Sequence, residues 1–106
     1  MTFSPRGLLF AMVGSIVGSM ALSGCGGVMY SARITSVESK IENAKEMGAE
    51  TLSPYEYYSA QQRVLKAREE AGRADYGDAL DLIDEAETFA DKAITQSGAV
   101  RKGAGR

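Results

Sequence analysis

Residues 53–72 read SPYEYYSAQQRVLKAREEAG, from Ser53 to Gly72, and this stretch decides the fold. Ser53 is a good N-cap, Pro54 suits the first helical position, and Glu56 stands three residues after Ser53, so the three form a capping box with proline at the start. Leu52 and Tyr57 flank it as a hydrophobic staple. Downstream, Tyr57, Ala60, Val64, Ala67 and Ala71 recur at spacings of 3, 4, 3 and 4, which places them on one helical face. Arg63, Lys66, Arg68, Glu69 and Glu70 lie mostly off that stripe. The segment is an amphipathic helix ending near Gly72.

A short break, Gly72-Arg73-Ala74-Asp75, leads into a second helix over about 76–96. Asp75 caps it, and Asp78 in its first turn suits the positive end of the helix dipole. Its apolar stripe is Ala79, Leu82, Ala86, Phe89 and Ala93, widened by Ile83 and Ala90. Both helices are roughly 28–31 Å long at about 1.5 Å per residue. Equal lengths across so short a turn predict an antiparallel hairpin. Before it, Ile34, Val37, Ile41 and Ala44, spaced 3, 4 and 3, predict a further amphipathic helix over about 31–47 that stops at Gly48, a C-terminal cap. The expected fold is all-α: an antiparallel helical hairpin with an additional N-terminal helix, three helices over 32–96, preceded by a signal-peptide helix.

Residues 1–24 carry their positive charge at Arg6 and the amino terminus. An uncharged run follows from Gly7 to Leu22 and ends in Leu22-Ser23-Gly24-Cys25, which fits a secretory signal. The last four residues resemble the lipobox of bacterial lipoproteins: an aliphatic residue, two small residues and a cysteine. The resemblance implies that Cys25 takes a diacylglycerol thioether, that residues 1–24 are cleaved away, and that the new amino group is acylated. Several acyl chains anchor durably where one is marginal. Gly26, in place of aspartate, implies by the same resemblance sorting to the outer membrane. The rival is an uncleaved anchor over 7–29, but its six glycines and three serines make a weakly hydrophobic span against the roughly 20 apolar residues a bilayer requires. Residues 25–31 are then a lipidated cysteine with a flexible tether, and 97–106, SGAVRKGAGR, a disordered basic tail.

Composition narrows function. The chain has 12 basic and 14 acidic residues; only Arg6 precedes Cys25, so the part from Cys25 onward carries 11 against 14, a net of −3. A nucleic-acid binder needs a basic face, and none is expected here. With no histidine and one cysteine, Cys/His zinc sites and an internal disulfide are excluded. The acidic residues of the helix over 76–96, Asp78, Asp81, Asp84, Glu85, Glu87 and Asp91, include a one-turn pair, Asp81 and Glu85, but match no calcium loop. They read as a solvated face, and paired carboxylates on a convex helix lack the pocket that acid–base catalysis needs. No enzyme activity and no cofactor beyond the Cys25 lipid are expected. Tyr57 and Tyr76 read as core, while Tyr55 and Tyr58 are the candidate partner surface.

Two resemblances add to this. Asp75-Tyr76-Gly77-Asp78-Ala79, with Ile83 and Ala86, resembles the second helix of a tetratricopeptide repeat, without the 34-residue recurrence of a solenoid. Gly48-Ala49-Glu50-Thr51-Leu52-Ser53-Pro54-Tyr55-Glu56-Tyr57, the alanine-rich helix and the Asp75-Tyr76 turn resemble the small bacterial lipoproteins of domain-of-unknown-function family 4398. The likeness covers residues 44–93 and implies an envelope protein with no active site to carry over. The expectation is a non-catalytic lipoprotein held to the membrane by its lipid, contacting an envelope protein through its helices. Its rivals are a homo-oligomeric coiled-coil structural lipoprotein and a peptidoglycan- or ligand-binding one.

Overall fold

The computed structural model describes residues 25–105; the expected signal peptide, 1–24, with the expected lipobox residues Leu22, Ser23 and Gly24, lies outside them. The described chain is all-α, with four helices and no strand: α1 Cys25–Glu46, α2 Ala49–Leu52, α3 Pro54–Gly72 and α4 Tyr76–Ala104. The expected antiparallel hairpin is α3 and α4, as Arg63 reaching Glu85 and Ser53 reaching Gln96 demonstrate. α1 runs antiparallel to α3, with Glu38 paired to Arg68, and parallel to α4, with Arg33 and Lys40 paired along Asp84, Glu87 and Asp91. Three long helices thus run alternately up and down, with one-turn α2 in the first connection.

The core is built mostly from alanine. Ala44, Ala49, Ala60, Ala67, Ala79, Ala86, Ala90 and Ala93 are wholly buried, and the larger buried side chains are Val37, Ile41, Tyr57, Val64 and Ile83. Small side chains on facing stripes let backbones approach closely, so each buried methyl contacts many neighbours. α4 sits between its partners. Its buried seam is Ala79, Ile83, Ala86, Ala90, Ala93 and Ser97, a strict alternation of 4 and 3 that recurs every seven residues. The sequence pattern centres that stripe on Leu82 and Phe89, but these are only partly buried and flank the seam. Ile83 and Ala90 occupy its middle because α4 must face α1 as well as α3. The same 3-and-4 spacing runs through Tyr30, Ile34, Val37, Ile41 and Ala44 in α1, the pattern of knobs-into-holes bundles.

Two expectations about the ends are corrected. Residues 25–31, expected as a flexible tether, form the first turns of α1. Gly26 and Gly27 lie against the Tyr76 ring: a Cβ at Gly26 would meet Tyr76 Cδ2 at 3.2 Å and at Gly27 its hydroxyl at 3.4 Å. The glycines therefore let α1 close on the ring, and Tyr30 meets it at a tilt of 47° with 6.0 Å between centroids. Residues 97–104, expected to be disordered, continue α4. Ser97 is wholly buried on the seam and Gly98 faces the Met47 methyl. Past them the helix propagates cheaply from an established nucleus, and Arg101 and Lys102 suit its negative end.

The turns also have local causes. Gly48 stops α1 with φ of +87°, a left-handed backbone that glycine adopts freely. At the end of α3 the left-handed residue is Ala74, φ 59°, not Gly72. The Asp75 N–H donates to the Glu70 carbonyl and the Ala74 N–H to that of Ala71, both at 2.9 Å, which makes a Schellman motif with alanine where glycine is usual. A left-handed alanine costs about 1–2 kcal/mol, partly offset by its stiffer unfolded chain. Ala74→Gly is therefore expected to stabilise the fold by about 0.5–1 kcal/mol, read as a higher urea midpoint; an unchanged or lower midpoint would contradict the strain.

Candidate functional site

The two ends of the bundle differ in chemistry. At one, Cys25 opens α1 with an exposed, free thiol. The next residue, Gly26, packs on Tyr76 at the start of α4, so the cysteine and the α3–α4 turn share this end. Val28 and Met29 follow Cys25 within the next turn, 71% and 55% exposed. The backbone is helical from Cys25 on, and Ser31 and Thr35 tighten it by donating their hydroxyls to the Gly27 and Ser31 carbonyls at 2.8 and 2.9 Å.

Along the sides, the acidic residues expected as a solvated face instead set the helix register. Arg33 and Lys40 are seven residues apart, as are Asp84 and Asp91. Arg33 pairs with Asp84 and Glu87, and Lys40 with Glu87 at 2.8 Å and Asp91 at 3.1 Å. On the other flank, Arg63 donates to Glu85 at 2.8 Å while its guanidinium lies 4.3 Å above the Phe89 ring. Each exposed pair contributes no more than about 1 kcal/mol, but a one-turn slip would break several at once. Of the Asp81–Glu85 pair, Glu85 is engaged by Arg63 and Asp81 is exposed. A nearer carboxylate group, Glu70, Asp75 and Asp78, gathers at the α3–α4 turn. There Asp75 accepts the Asp78 N–H, and Glu70 is met by Lys66 and Arg73.

The Lys40 ammonium, bonded to Glu87, holds the Glu87 carboxyl below its usual value against the opposing effect of burial, with Arg33 adding to the pull. The same bond holds Lys40 above its usual value. A carboxyl depressed on folding contributes stability that is complete above its unfolded value and is lost as pH falls through the folded one. The thermal midpoint by circular dichroism is therefore expected to hold down to roughly pH 5 and fall below it. Glu87→Gln should shrink that fall; an equal fall in both proteins would rule the pair out as its cause.

At the other end, about 30 Å along α1 from Cys25, Tyr57 is buried and its hydroxyl donates to Glu50 at 3.3 Å and accepts from Gln61 at 2.9 Å. Burial, with Glu50 beside it, pushes this phenol above its usual value. Tyr55 and Tyr58 are 70% and 50% exposed. Tyr55 meets Phe89 edge-on at 5.9 Å, Tyr58 meets Tyr57 at 5.1 Å, and both line a shallow depression with Pro54, Ser59, Gln62 and Arg63. The other two tyrosines, Tyr30 and Tyr76, belong to the opposite end.

Ser53 departs from the expected capping box. Its hydroxyl does not accept from the helix start but donates to the Glu56 carboxylate at 2.7 Å, lowering that carboxyl's pKa. With the Gln96 amide nitrogen turned toward them, Gln96 donates to Ser53 Oγ at 2.7 Å and to Glu56 at 3.1 Å. The motif thus ties α3 to α4, a role that local spacing does not reveal. The seven-residue match of Arg33 and Lys40 with Asp84 and Asp91 was the one sequence signal for the ion-pair ladder. A second groove, between α1 and α3 and lined by Ile41, Tyr57, Val64 and the half-exposed Leu65, had no such signal.

No described helix is long and apolar enough to cross a membrane. Comparison with protein-family models, with curated proteins and with solved structures finds nothing that matches this chain.

Proposed function

We propose that the chain is a non-catalytic lipoprotein of the bacterial cell envelope, anchored by acyl chains on Cys25 and presenting its helical bundle to another envelope protein. The observation that carries this is the position of Cys25. It is the chain's single cysteine, it closes an uncharged segment in Leu22-Ser23-Gly24-Cys25, and its exposed thiol stands on α1, the helix that the bundle packs from Tyr30 onward. Cleavage before it would leave the bundle intact, because the described core contains nothing earlier than Tyr30. The resemblance to family 4398 supports the same reading, and Gly26 favours the outer membrane. The contact surface is assigned to Tyr55 and Tyr58, which stand exposed at the end away from the anchor and are each held on an aromatic neighbour.

Cys25→Ala tests the reading. The variant is expected to lose membrane retention on cell fractionation while keeping the helical circular dichroism of the parent. Retention in the membrane fraction with residues 1–24 removed would overturn the lipid anchor.

A further inference from the structure

We infer that the first turn of α1 is itself a membrane contact: Val28 and Met29 sit in the lipid headgroup layer as an apolar foot beside the anchor. This rests on the lipid assigned to Cys25, and three further observations carry it beyond that assignment. First, no slack separates the anchor from the fold. The backbone is helical from Cys25, so Val28 and Met29 lie about 4.5–6 Å along the axis from the lipidated residue. Interfacial side chains penetrate to about 5–10 Å, and helical Cβ atoms lean toward the N-terminus, here toward the membrane. Second, these two side chains are among the most exposed large apolar groups of the described residues. The bundle cannot withdraw them, because Gly26 and Gly27 seat the same turn on Tyr76. Third, Tyr76, beside Gly26 and Gly27, and Tyr30, whose ring meets it at a tilt, carry the apolar ring and polar hydroxyl that favour the membrane–water boundary.

Charge identifies the kind of lipid contact. The adjoining turn carries one exposed cation, Arg73, against exposed Asp75 and Asp78. That balance does not attract anionic headgroups, so the contact is apolar and insensitive to salt.

The chain has no tryptophan, so one introduced residue reports alone. Full-length chains carrying Val28→Trp, Thr35→Trp or Val100→Trp are purified from membranes, and their mass is checked for lipid. They are then reconstituted in phosphatidylcholine vesicles containing bromine-labelled lipid. Thr35 is exposed on the same face of α1 as Val28, seven residues on, and Val100 is exposed near the far end of α4. The expected result is blue-shifted, strongly quenched emission at position 28, with unquenched aqueous emission at 35 and 100. Position 28 quenched no more than position 35 in a lipidated chain would overturn the foot and leave the anchor standing. A chain without the lipid mass would overturn the anchor on which the foot depends. Quenching that appears only with added phosphatidylglycerol and vanishes in salt would replace the apolar contact by an electrostatic one.

Discussion

Ile83→Ala is expected to lower the thermal midpoint by on the order of 10–25 °C, the largest stability loss of any single truncation in the bundle. Ile83 is wholly buried at the middle of the α4 seam, and it is the largest side chain buried to that degree among the described residues. Its neighbours along the seam, Ala79 and Ala86, are alanines, which have no rotamers with which to fill the void. Truncating a buried isoleucine costs about 2–5 kcal/mol, with the upper values where the site cannot collapse. A domain of this size has little stability in reserve. Leu65→Ala is the control. Its side chain is half exposed on α3, so its midpoint should move by only a few degrees. Equal losses at the two positions would show that α4 is not the central helix.

The second large effect runs against hydrophobicity. Ala90→Leu adds apolar surface but is expected to destabilise by about 1–3 kcal/mol. Ala90 is wholly buried. On one side its neighbour Phe89 meets Arg63 and Tyr55 of α3; on the other, Asp91 meets Lys40 of α1. A leucine there must push apart two helices that approach closely because the seam is small. Urea unfolding reads the change directly, and a midpoint raised by the leucine would mean that the seam is loosely packed.

Much of this architecture is legible in the sequence because each long helix announces itself locally. Pro54 and Gly72 bound α3, Asp75 caps α4 as expected, and Gly48 supplies the left-handed stop of α1. Apolar spacing marks the buried faces of α1 and α3. It misplaces the centre of α4, since Leu82 and Phe89 outweigh Ile83 and Ala90 in hydrophobicity although the seam between two partners admits only the latter pair. The ends are misread for a related reason. Glycine and serine suggest loose chain when only their own propensities are considered, yet Gly26 and Gly27 are required by an aromatic ring fifty residues away, and Ser97 extends a seam begun at Ala79. Acidic residues on α4 look solvated until α1 is laid beside it with Arg33 and Lys40 in step. At the candidate site, Cys25 and the exposed pair Tyr55 and Tyr58 are found from sequence. The rigid junction between Cys25 and the fold is not, because it depends on Tyr76.

Everything proposed for function begins at that junction, and one measurement bears on it most directly. The intact mass of the protein purified from bacterial membranes is predicted to correspond to a chain that starts at Cys25 and carries a diacylglyceryl group with an additional acyl chain. A mass showing residues 1–24 still attached, or an unmodified Cys25, would contradict the account.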